Sequence, residues 1–87
     1  ISSSQIKPAA PGNVVYAGSG LRGYGNLVII KHSDNMLSAY ANNKEIIVEV
    51  GQSVSQNDAI SRLDKNQIIY FEIRRDGSPV DPLRYLK

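Results

Sequence analysis

His32 is the one imidazole in a chain of 87 residues that contains no cysteine. A lone histidine can act as a general base or as a single metal ligand. Catalysis through it would need a nucleophile and an orienting acid at matching spacing, and no such constellation is present. A zinc site built from two or more histidines of this chain is excluded, as are disulfides, thiolate metal sites and thiol nucleophiles. His32 closes an apolar run and precedes a turn containing Asp34, so it reads as a capping or hydrogen-bonding side chain. Gly20-x-x-Gly23-x-Gly25 has the look of a phosphate cradle. A cradle needs a strand before it and a helix N-terminus after it. Here a β-branched run follows, so the glycines read as a tight connection between strands.

The elements around these residues are short. After the polar, serine-rich residues 1–5, which read as a linker or frayed end, Pro8 and Pro11 break regular structure. Strands are expected at 13–17, 26–31, 36–41, 45–50, 59–63 and 68–75, with an extended stretch at 78–80 and turn residues between them. Asp81-Pro82 places an N-cap before a proline, so 83–86 is expected to form one helical turn. The fold class is all-β: a small barrel or sandwich of about seven short antiparallel strands. Apolar residues on both faces of several strands imply a sheet that is curved or covered. No apolar run approaches the length of a membrane-spanning helix. Ten Lys and Arg against eight Asp and Glu give a net charge of +2, and the basic residues are scattered apart from Arg74-Arg75, so no nucleic-acid partner is expected. The first residues, Ile-Ser-Ser-Ser-Gln, suggest a processed or truncated fragment.

Residues 48–60 resemble the strand–glycine turn–strand unit of hammerhead half-barrels such as biotinyl and lipoyl carrier domains. Lys65 would stand at the tip where those domains carry their cofactor, but the flanking residues match that pattern poorly. The more specific signal is Tyr70-Phe71-Glu72-Ile73-Arg74, followed by Gly77-Ser78-Pro79-Val80-Asp81-Pro82-Leu83-Arg84-Tyr85-Leu86. It resembles the C-terminal stretch of LytM-type, lysostaphin-like metallopeptidase domains, which read roughly H-x-H-F-E-[IV]-R and then G-x-P-V-[ND]-P-L-x-Y-L. Gly12 to Gly18, Gly23 to His32 and Val48 to Val54 fall in register with the same family. The likeness covers residues 6–87 and is nearest to the NlpD-like division lipoproteins, with 1–5 outside the domain.

The departures from that family bear on chemistry. The resemblance implies zinc ligands from an H-x-x-x-D pair and the second histidine of H-x-H. It also implies catalytic histidines at the first position of H-x-H and after a Tyr-Ala pair. Here Ile68 and Tyr70 occupy the H-x-H positions, Asn42 follows Tyr40-Ala41, and the H-x-x-x-D segment would lie before residue 6. Isoleucine cannot coordinate zinc, and Lewis-acid activation of water needs the metal. The expectation is therefore a chain that is not an enzyme and carries no cofactor.

The resemblance implies instead a regulator that binds and activates a periplasmic N-acetylmuramyl-L-alanine amidase during septal peptidoglycan cleavage, on a lipoprotein parent of a Gram-negative envelope. The alternative is a module that holds peptidoglycan in the former peptidase groove. Groove residues are expected at Asn42, Ile68, Tyr70, Tyr40 and Ser38, with Arg22 and Tyr24 on its rim. An incomplete sheet would also leave an edge open to a domain-swapped or self-associated dimer.

Overall fold

The chain alternates β-branched residues with glycine and asparagine turns, and a computed structural model shows what this produces. It describes residues 3–8, 10–20, 23–33, 35–64, 70–75 and 78–80. Among them every regular element is a strand: β1 (Ser3–Ile6), β2 (Gly12–Gly18), β3 (Asn26–Lys31), β4 (Met36–Asn43), β5 (Glu45–Ile46), β6 (Ser53–Val54), β7 (Ser61–Asp64), β8 (Tyr70–Arg75) and β9 (Ser78–Val80). They form two antiparallel sheets. The larger has the order β6-β2-β3-β4-β8-β9 and the smaller β1-β7-β5.

The all-β architecture is as expected, with nine strands rather than about seven. Three expectations need correction. Residues 3–5, read as linker, belong to β1, which pairs with β7 from Ser3↔Asp64 to Ile6↔Ser61. A polar strand carries no hydrophobic signal, and its ladder is made by backbone groups that any residue supplies. The strand expected at 45–50 stops at Ile46. Ile46 and Val48 do point inward as their alternation requires. Beyond Ile46, however, the segment joins the two sheets, and the Ile47 N–H donates to the Ile60 carbonyl at 3.0 Å. Alternation reports which face is buried and does not report pairing. The strand expected at 59–63 runs two residues later at its start, as β7. The helical turn at 83–86 lies outside the described residues.

The core lies between the sheets. Val14, Val28, Ile30, Tyr40, Val48, Val54 and Ile60 are buried together, with Ile6, Ala17, Ile46 and Phe71 packed around them. Each such side chain contributes roughly 1.5–3 kcal/mol when fully buried. On the large sheet the inward rows follow the register: Val28↔Tyr40 and Tyr40↔Phe71, then Ile30↔Ser38 and Ser38↔Ile73. The Tyr40 and Phe71 rings meet at 5.2 Å.

Two polar devices fix this arrangement. Asn43, buried at the end of β4, donates from Nδ2 to the carbonyls of Asn26 (2.8 Å) and Tyr40 (2.6 Å). Its Oδ1 accepts from the Ser61 hydroxyl at 2.6 Å, so one amide ties β3 and β4 to β7 of the other sheet. Asn26 answers with its own amide on the carbonyls of Asn43 and Lys44, both at 3.0 Å. At the other end of β3, His32 Nδ1 donates to the Pro11 carbonyl (2.7 Å), since a carbonyl only accepts. Its Nε2 lies 2.7 Å from the Ser38 hydroxyl. The histidine is thus the hydrogen-bonding side chain expected from its position. It draws the start of β2 so close that a Cβ on Gly12 would overlap the Lys31 carbonyl and lie 2.7 Å from Ile30 Cγ2.

Two stability outcomes follow. Gly12→Ala is expected to lower stability by about 1–3 kcal/mol, because the methyl must displace backbone. Asn43→Ala is expected to cost about 2 kcal/mol through buried partners left unpaired. Urea unfolding midpoints at constant slope check both.

Candidate functional site

Because successive side chains of a strand point to opposite faces, the strands that bury Val28, Tyr40 and Phe71 must present the intervening residues on the other side. Those residues form a groove. Leu27 and Ile29 of β3 and Leu37 and Ala39 of β4 make an apolar floor, Glu72 and Arg74 of β8 make a wall, and Tyr24 stands over one end, around a volume of about 200 Å³. The register places Ile29, Ala39 and Glu72 in one row, and Lys31, Leu37 and Arg74 in the next.

The polar wall is organised around one carboxylate. Tyr70, Glu72 and Arg74 sit at alternate positions of β8 and so share its outer face. The Tyr70 hydroxyl donates to Glu72 Oε2 at 3.2 Å, and Arg74 Nε donates to Glu72 Oε1 at 2.9 Å. The Glu72 charge opposes ionisation of the neighbouring phenol, and their hydrogen bond favours the protonated form, so the Tyr70 pKa is raised above the usual 10.0. The hydrogen bond to Glu72, with its charge, likewise raises Arg74 above its ordinary value.

The end of the groove is built by a glycine loop and a bulge. Pairing shifts between Asn26↔Asn43 and Val28↔Tyr40. The surplus residue of β4 is accommodated with Asn42 at φ 67°, a left-handed backbone that asparagine tolerates. The Asn42 N–H donates to the Tyr24 carbonyl at 2.9 Å. Gly23 and Gly25, at φ 89° and 61°, let the loop turn there. The Tyr24 ring meets that of Tyr70 at 6.4 Å and 50°. At the loop's other end the Tyr16 hydroxyl accepts from the Gly20 N–H at 3.0 Å.

Of the residues expected in the groove, Tyr24, Asn42 and Tyr70 are brought together. Ser38 and Tyr40 are not. Both are buried on the opposite face, Ser38 against His32 and Tyr40 in the core. Leu37 and Ala39, of the opposite parity, reach the groove instead, and the bulge before Asn43 releases Asn42 from the face that Ser38 and Tyr40 share. Arg22 and Ile68 lie outside the described residues, as does Lys65. Leu27, Ile29, Leu37, Ala39, Glu72 and Arg74 are additions. Their sequence signal was the apolar alternation on both faces of β3 and β4, and the i, i+2, i+4 spacing from Tyr70.

The donor set does not fit a zinc ion. A phenol and an amide hold two of the positions that the resemblance assigns to histidines, and His32 is engaged on the core face. Among the described residues no three His, Cys, Asp or Glu side chains converge on a common point.

Comparison with known proteins places these observations in a family. The model for peptidase family M23 matches residues 2–82. The chain is 51% identical over 85 residues to a Pseudomonas aeruginosa protein named lipoprotein NlpD/LppB homolog, covering 93% of this chain and 29% of that protein. It is 49% identical over 85 residues to the murein hydrolase activator NlpD of Escherichia coli, with 93% and 22% covered. The chain thus spans less than a third of the length of either relative. Among solved structures, Helicobacter pylori Csd3 superposes with a TM-score of 0.87 at 26% identity, over all of this chain and 24% of that one.

The wall makes a spectroscopic prediction. A phenol whose folded pKa is raised holds its proton more tightly folded than unfolded. Its contribution to stability is complete below the ordinary phenol value and is lost as pH rises through the raised one. Glu72→Gln is expected to lower the Tyr70 titration midpoint, read from phenolate absorbance against a Tyr70→Phe reference. An unchanged midpoint would show that the carboxylate does not govern this phenol.

Proposed function

The chain belongs to peptidase family M23, and from that premise we propose that it is a non-catalytic regulator that binds and activates a periplasmic N-acetylmuramyl-L-alanine amidase. One observation carries the reading. Where the family resemblance expects a histidine ligand, this chain has Tyr70, whose ring meets that of Tyr24 beside an open apolar floor. A phenol is a poor substitute for a histidine ligand, which supports the non-catalytic reading. The surface has the features of a recognition site: exposed aromatic side chains, apolar area and a few fixed polar groups. The relatives named as murein hydrolase activators support a role in cell-wall cleavage, and those named as lipoproteins support an envelope location. The same groove in a wall-binding module would hold peptidoglycan directly.

Activation by binding is a population shift. The regulator must prefer the open amidase to the blocked one, and moving an equilibrium from 1:99 to 99:1 takes a preference of about 5.5 kcal/mol. Tyr24 and Tyr70 are the side chains best placed to supply part of it, since exposed aromatic residues are over-represented among those that dominate binding energy.

Dye release from labelled sacculi tests the proposal, with this chain alone, a cognate amidase alone, and both. Release is expected only from the mixture, and Tyr70→Ala is expected to reduce it roughly tenfold, a loss of about 1.4 kcal/mol. Release by the chain alone would overturn the non-catalytic reading. No release from the mixture, with sedimentation of the chain on sacculi, would replace the activator reading with wall binding.

A further inference from the structure

We propose that Glu72 is a positioning residue of the groove: its carboxylate holds the Tyr70 hydroxyl and the Arg74 guanidinium in a fixed relation on one wall, without itself meeting the partner. This rests on the reading that the groove is where the amidase binds.

The geometry of β8 carries the inference. Glu72 lies between two longer side chains on the same face of one strand, and each of its oxygens takes a different neighbour: Oε2 from Tyr70 at 3.2 Å and Oε1 from Arg74 Nε at 2.9 Å. Exposure follows the same order. The Glu72 side chain is 16% exposed and that of Arg74 40%, while Tyr70 as a residue is 50% exposed. The carboxylate therefore lies low in the wall, and the two groups it holds stand over it. A partner entering the groove meets a phenol and a guanidinium before it meets the acid.

The chemistry favours this division of roles. Arginine and tyrosine are the types whose truncation most often costs binding energy, and both lose side-chain freedom when they bind. Holding them beforehand removes part of that loss. Glu72 is suited to hold both because a carboxylate accepts at two oxygens at once, and bonds that involve its charge are stronger than neutral ones. The bond from Arg74 is made through Nε, the nitrogen nearest the strand. The pair is part-buried, so the unfolding midpoint is the readout that separates a positioning role from a structural one. Removal of the carboxylate is expected to alter binding while leaving the fold in place.

A double-mutant cycle on amidase activation tests the proposal, using Glu72→Gln, Arg74→Ala and the pair, with urea midpoints measured on every variant. Glu72→Gln is expected to raise the concentration needed for half-maximal activation roughly fivefold, with the unfolding midpoint nearly unchanged. In the Arg74→Ala background the same change is expected to cost clearly less than fivefold, because one of the two groups through which Glu72 acts is already removed. Glu72→Asp, too short to reach both neighbours, is expected to behave like Glu72→Gln. Full additivity of the two substitutions would overturn the proposal, as would a Glu72→Gln chain that activates like the unaltered one. An unaltered chain that activates no amidase would instead remove the functional reading, and the role of Glu72 with it.

Discussion

Strands β3, β4 and β8 each serve two surfaces at once, and the rest of the molecule depends on their staying in register. Val28, Tyr40 and Phe71 form a row that faces the core, and Ile29, Ala39 and Glu72 form the next row, which faces the groove. A slip of one residue between any two of these strands would exchange the faces of one of them. It would place Glu72 against Tyr40 and carry a core residue to the solvent. The register therefore needs more than the hydrophobic pattern to fix it, because that pattern is apolar on both sides of β3 and β4. Polar contacts at the strand ends supply what the pattern lacks. Asn43 can satisfy its buried amide only where the Asn26 carbonyl and the Ser61 hydroxyl meet it. His32 reaches the Pro11 carbonyl and Ser38 only when β2, β3 and β4 are aligned at their other ends.

Much of this was legible in the sequence because it depends on local chemistry. The glycine loop, the turn after His32 and the strand that ends in Arg74-Arg75 are each set by residue types within a few positions. The family resemblance pointed to Tyr24 and Tyr70, and the fold brings these two rings into contact. Ser38 and Tyr40 were misplaced for a physical reason. Ser38, Tyr40 and Asn42 stand at alternate positions, which on a regular strand would share one face. The bulge at Asn42 breaks that count: it changes parity between the two ends of β4, so Asn42 leaves the face on which Ser38 and Tyr40 stay buried. Counting inward from Leu37 would have given the right face. The pairing of β1 was not legible, because its ladder uses backbone groups alone.

The groove also has a different electrostatic character from a metal centre. A divalent ion is the largest local charge in any site that holds one, and surrounding groups are arranged to answer it. In this chain the wall answers itself. Glu72 is paired with Arg74, and the phenol of Tyr70 is kept neutral by the same carboxylate. Little net field projects into the groove from the wall, so long-range steering toward it is weak. Discrimination among occupants must come from shape, apolar contact and the directions of a few fixed hydrogen-bonding groups. That places the demand on pre-organisation. The loop carrying Tyr24 is held by Asn42 at one end and by Tyr16 at the other, and the wall is held by Glu72. Glu72 and Arg74 match the Glu and Arg of the H-x-H-F-E-[IV]-R pattern that the resemblance rests on, so the pair that holds the wall does not depend on the departures at Asn42 and Tyr70.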